Sequence, residues 1–163
     1  MDQSYSIKAN PIDLLEEIIS SKRWYFTRSA NDELVAEISS KFCSYRMYFA
    51  WSEKINAINF TITFDLKFST ITSKSIYELL ALINEKLWIG HFDITSKSGI
   101  PAFRHTVLVN DKTEISHNIL EDLVDIAIYE CEKYYPAFEL LLFEEIKPSE
   151  ALKLSSIEVL GRA

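Results

Sequence analysis

Hydrophobic and polar positions change period several times along this chain, and each change predicts a new element. Leu14, Leu15, Ile18 and Ile19 recur at helical spacing, so a first helix buries one stripe. Asn10 can cap it, Pro11 suits its first turn, and Asp13 faces the positive end of its dipole. Ser20-Ser21 ends it. Trp24–Thr27 reads as a short strand and Ser29–Asp32 as turn residues. Leu34, Ala36 and Ile38 then alternate with polar or outward positions, as in a strand. The alternation returns in Cys43, Tyr45, Met47, Phe49 and Trp51, with Phe42 and Tyr48 assigned to the opposite side. After a turn at Glu53–Asn56 comes the cleanest pattern. Ile58, Phe60, Ile62, Phe64, Leu66 and Phe68 point one way, and Asn59, Thr61, Thr63, Asp65 and Lys67 the other. A strand with one buried and one wet face belongs in an antiparallel sheet covered on one side.

Thr72 or Ser73 caps a central helix whose stripe is Tyr77, Leu80, Ile83, Asn84 and Leu87, with Gly90 as its stop. Phe92 and Ile94 open another strand. Ser98-Gly99 turns the chain into Pro101–Val109, which Asn110–Lys112 ends. Ser116 caps a third helix carrying Leu120, Leu123, Val124, Ala127, Ile128 and Cys131. Pro136 should interrupt it and make Ala137–Glu145 a separate or kinked segment. A final short helix starts near Pro148. Strands and helices fall in separate runs, which predicts an α+β fold. The expected sheet is antiparallel, with about five strands and helices chiefly on one face. One domain spans residues 1–163, with its core at about 10–145 and a short C-terminal helix and tail at 146–163.

Composition narrows the function. A net charge of -7 argues against a phosphate-backbone binder, so no nucleic-acid partner is expected. No run is long and apolar enough for a membrane span, and Met1–Pro11 lacks a basic segment followed by an apolar one. Both predict a soluble cytoplasmic protein without a membrane partner. Three glycines cannot build a phosphate loop. Cys43 and Cys131 show no metal-ligand spacing and read as buried thiols.

Four words of the sequence carry a resemblance: CSYRMYFAW at 43–51, YELLALINEKLWIGHF at 77–92, GIPAFRHTVLV at 99–109 and EDLVDIAIYECEKYYPAF at 121–138. Their order over roughly residues 10–145 resembles the YbjN-type family, bacterial proteins described as "putative sensory transduction regulators". The resemblance implies a fold similar to type III secretion chaperones, a homodimer, and a non-enzymatic role in regulation or protein binding. It supplies no catalytic residue, and no cofactor is expected.

Two sets of side chains compete as the functional site. Arg46, Tyr48, Trp51, Trp88 and Phe103 combine aromatics with a guanidinium, the composition of protein-binding surfaces. Tyr134–Phe138 forms a second aromatic cluster, read as a docking corner for the C-terminal segment. Against these stand His91, Asp93 and His105. His91 and Asp93 share a strand face, and the hairpin could bring His105 beside them. Two histidines and a carboxylate suit a metal-assisted enzyme, and the same group could serve a small-molecule sensor. A shift of one residue in register would put His105 on the other face. Asn84, among apolar stripe positions, is either a satisfied contact to the adjacent loop or a cross-subunit bond setting dimer register.

Overall fold

The computed structural model describes residues 10–69, 73–109 and 115–161. Its elements run α1 (Pro11–Ser21), β1 (Tyr25–Ala30), β2 (Glu33–Ser39), β3 (Ser44–Ser52), β4 (Ala57–Thr63), α2 (Ser73–Asn84), β5 (His91–Ile94), β6 (Pro101–Leu108), α3 (His117–Phe143) and α4 (Pro148–Gly161). The fold is α+β. Six strands form one sheet in the order β1-β2-β3-β4-β6-β5, and every neighbouring pair is antiparallel. The expected count was about five.

Register makes the two faces explicit, because residues directly opposite share a face. One row runs Phe26, Ala36, Met47, Ile62, Phe103 and Phe92 across all six strands. Five of these are fully buried or nearly so, and Phe26 packs against them at the edge. α1 covers this face over β1–β3, α3 lies on β4, and α2 packs beside β5. Phe64, Phe92 and Phe138 join sheet to α3 through ring centroids 5.4–6.0 Å apart. Each buried ring contributes about 1.5–3 kcal/mol, and each such pair adds about 0.5–1.5 kcal/mol.

The helix starts follow their caps. The Asn10 side chain accepts from the Ile12 amide, and Ser116 accepts from the Ile119 amide. Arg28 on β1 reaches Asp13 and Glu16 of α1, while Lys22 at the end of α1 reaches Asp125 and Glu121 of α3.

Several boundaries depart from expectation. β1 continues to Ala30 through a bulge at Arg28, so the turn contracts to Asn31-Asp32. β4 ends at Thr63, yet Phe64, Leu66 and Phe68 stay buried. That extension is held by the Phe64 amide on the Pro101 carbonyl and the Phe68 amide on the Gly99 carbonyl. Phe42 is not opposite Tyr45; it precedes the strand and stacks on Tyr135. α2 buries Ile76, Leu79, Leu80 and Ile83, while Tyr77 is exposed. α2 stops at Asn84, so Gly90 does not cap it. Gly90 instead has φ of 68° and lies so close to Phe103 that a Cβ would overlap the ring. The expected cap at Thr72 and strand end at Asn110–Lys112 fall outside the described residues.

Pro136 does not break α3, which runs unbroken for 27 residues. Proline removes the bond to the Glu132 carbonyl and costs about 3 kcal/mol. Tyr134, Tyr135 and Phe138 are all buried around it, and three such side chains offset that cost. Tyr134–Phe138 therefore packs inside a continuous helix rather than at a corner. α4 is longer than expected, with 14 residues, and packs on α3 and α2.

Gly99 is the tightest point of the β5–β6 turn. Its φ is 69°, and a Cβ would overlap the Phe68 carbonyl. Gly99→Ala should therefore cost about 2 kcal/mol or more, read as a lower urea midpoint at constant slope. An unchanged midpoint would contradict this account of the turn.

Candidate functional site

The uncovered sheet face is built from the positions between the buried ones. One row runs Tyr25, Glu37, Arg46, Thr63, Ala102 and Asp93. The next runs Thr27, Val35, Tyr48, Thr61, Arg104 and His91. Charges alternate within them. Arg46 pairs with Glu37 at 3.3 Å and Arg104 with Asp93 at 3.0 Å, and Arg104 also donates to the Thr61 hydroxyl. Tyr48 stands between them, 38% exposed. Tyr48 and Glu37 flank the Arg46 guanidinium and hold its pKa above the usual value.

At one end of this face the β5–β6 turn rises beside the ends of β2 and β3. Between them lies a half-open cleft of about 440 Å³. Arg46, Tyr48, Glu37 and Asp65 supply its charges and ring, and Ser39, Ser44, Thr63, Thr95 and Ser98 supply hydroxyls. Asp65 accepts a bond from the Tyr135 hydroxyl at 3.0 Å, which fixes that carboxylate at the rim. Ile38, Tyr45, Phe64 and Ile100 complete the lining, so polar groups stand beside apolar surface. Such a surface suits an extended chain that offers backbone N–H and C=O groups together with side chains of mixed polarity.

The five surface candidates separate. Arg46 and Tyr48 lie together on the open face and in the cleft. Trp51 shares the covered face with Phe49 and Met47, half-buried against the core. Trp88 projects from the α2–β5 turn and is 100% exposed. Phe103 is buried in the aromatic core beside Phe92 and Phe60 and has no surface to offer. Alternation alone could not decide its face, because Pro101, Ala102 and Phe103 are all buried.

The histidine set does not converge. His91 and Asp93 lie on the open face, but His105 pairs with Phe60 on the covered face, its ring edge-on at 5.4 Å. Asp93 is held by Arg104. No group of three His, Cys, Asp or Glu side chains among the described residues has the geometry to hold a metal. This is the one-residue register difference that sequence left open. The thiols are unactivated: burial and Asp65 push Cys43 up to about 12, and burial raises Cys131 as well.

Asn84 has a specific task within the chain. Its Nδ2 donates to the Phe92 carbonyl at 3.0 Å, and its Oδ1 accepts from the Phe92 amide at 2.7 Å. The primary amide thus takes the place of a further strand and closes the outer edge of β5.

Residues 11–140 match the family described as "Putative bacterial sensory transduction regulator", YbjN. That is more than half of the chain, and the chain belongs to this family. Among solved structures it is similar to the crystal structure of YbjN from E. coli, described as "a putative transcription regulator". Identity is 10%, with 73% of this chain and 84% of that chain covered and a TM-score of 0.53. That likeness concerns the fold. No curated protein matches the chain. Among the described residues no helix is long and apolar enough to cross a membrane.

Removing the Asn84 amide leaves the Phe92 N–H and C=O without partners. Asn84→Ala should destabilise the chain by about 1–3 kcal/mol, measured by urea unfolding; a change within error would contradict the edge-closing role. His105 gives a pH signature. Burial, with a smaller contribution from His91, lowers its pKa from the usual 6.5. A depressed folded pKa means that protons favour the unfolded chain. This contribution is complete above the unfolded value and is lost as pH falls below it. Comparing unfolding at about pH 7.5 and about pH 5.5, His105→Gln should lose less stability than the parent. Equal losses would contradict the assignment.

Proposed function

We propose, from family membership and from the open sheet face, that the chain is a non-enzymatic bacterial regulatory module. In this reading it acts as a homodimer in the cytoplasm and binds an extended segment of a protein partner. The observation that carries it is the asymmetry of the sheet. Three helices cover one face, while the other presents Arg46 and Tyr48 beside a cleft of mixed charge.

Three features support a protein segment over other ligands. The cleft is half-open, unlike the enclosed sites that hold small molecules, and mixes apolar side chains (Ile38, Phe64, Ile100) with polar ones. Carboxylates at Glu37 and Asp65 stand beside Arg46, which disfavours a polyanion such as nucleic acid. Tyrosine and arginine are the residue types that most often dominate protein interfaces. Arg46 would fix orientation through charge-assisted bonds, and Tyr48 would supply apolar contact with a hydrogen-bonding tip. The fully exposed Trp88 is a second anchor candidate, at the β5 edge of the sheet.

The test is a double substitution, Arg46→Ala with Tyr48→Ala, in the host bacterium. Both side chains are exposed or half-exposed, so the thermal midpoint should hold within a few degrees. Recovery of the cross-linked protein partner should fall at least about tenfold, whereas Leu108→Ala, on an exposed position outside the cleft, should leave it intact. Undiminished recovery from the double variant would overturn the placement of the site.

A further inference from the structure

The outer line of α3 carries a feature that the fold does not use. Ile119, Asp122, Ile126, Tyr129, Lys133, Pro136 and Leu140 recur at alternating spacings of three and four residues. This is the spacing of a coiled-coil seam, with Asp122 and Lys133 as its charged positions. Its two halves differ in burial. Pro136 is buried and Leu140 partly so, and α4, which follows α3 after four connecting residues, packs on that helix. Upstream, Ile119 is 51% exposed, Ile126 37% and Tyr129 62%.

Length explains the difference. α3 has 27 residues and α4 has 14, so they span about 40 Å and about 21 Å. An antiparallel α4 leaves the N-terminal half of the seam bare. That half alternates apolar and charged positions in a self-complementary order. In an antiparallel pair of α3 helices, a two-fold axis beside residues 127 and 128 sets Ile126 against Tyr129 of the second copy. The same axis sets Asp122 against Lys133. Each contact occurs twice, as a two-fold interface requires. Antiparallel coiled coils pair their two seam positions in this crossed way, and the register that joins the apolar residues also joins the opposite charges.

Lys133 is positioned for this contact. It lies over the Tyr129 and Tyr134 rings at 5.9 and 4.9 Å and pairs with Glu130 at 3.7 Å, so a contact with Asp122 of a second copy would add a second carboxylate to the same ammonium. Its side chain keeps 41% exposure, and Asp122 is exposed.

We infer that the bare half of α3 is the contact between two copies of this chain, packed antiparallel with Ile126 on Tyr129 and Asp122 on Lys133. The inference rests on the homodimer in the reading above and gives it a place opposite the open sheet face. Both partner-binding faces then stay free. The self-paired stretch is short, about 18 Å from Asp122 to Lys133, below the span of most stable interfaces. The dimer is therefore weak and concentration-dependent.

Sedimentation equilibrium of the full chain, from low to high micromolar, tests this. The parent should shift from monomer to dimer across that range. Ile126→Glu and Asp122→Lys should each weaken the dimer at least about tenfold, while Asp122→Glu should keep it. Circular dichroism checks that each variant folds, and Asp122→Lys changes only an exposed side chain. A parent dimer indifferent to both disruptive variants would overturn the seam and leave the homodimer standing. A parent that stays monomeric throughout would overturn both.

Discussion

One-sided burial of an antiparallel sheet is the constraint on which the rest of this structure depends. Side chains alternate with period two, so fixing the register of β3 against β4 fixes the face of every residue in both. Met47, Phe49, Phe60 and Ile62 then lie on one side, and water must be removed from that side. α1, α2 and α3 do this, and the aromatic contacts of Phe64 and Phe92 with Phe138 hold α3 in place. The other side inherits Glu37, Arg46, Tyr48, Thr61, Arg104 and Asp93. The binding surface is thus the complement of the core, and one register sets both.

Edges and turns protect that register. A sheet of six strands has two open edges, and the shorter edge strand, β5, would be a template for unwanted pairing. Asn84 closes it with a single amide, bonding both backbone groups of Phe92. At the other edge, Arg28 ties β1 to α1, and a bulge ends its regular pairing. Glycine is placed where backbone meets side chain or backbone most closely, at Gly90 against Phe103 and at Gly99 against Phe68. The Gly99 turn also forms one wall of the cleft region, so the site depends on the same tight packing.

Much of this was legible in the chain. Alternation gave β3 and β4, caps at Asn10 and Ser116 gave two helix starts, and the segregation of strands from helices gave the α+β class. What was not legible depended on tertiary packing. The chain around Pro136 reads as a break, but buried neighbours on both sides hold the helix together. Gly90 reads as a helix stop, yet its positive φ serves a close approach to the sheet. His105 and Phe103 sit in a strand whose first three residues are all buried, so period alone could not assign their faces. The metal and aromatic sets were both drawn partly from that strand, and each lost a member for this reason. Of the binding candidates, Arg46 and Tyr48 lie on the outward side of the regular alternation in β3, and they are the pair the sheet brings together.

The central claim is that the open face is the working surface. Hydroxyl-radical footprinting compares the purified chain with the same chain inside its host cells. The account predicts that Tyr48 is oxidised readily in the purified protein and protected in cells, while Ile157, exposed on α4 away from the open face, reacts equally in both. Equal oxidation of Tyr48 in the two settings, with protection elsewhere on the molecule, would contradict it.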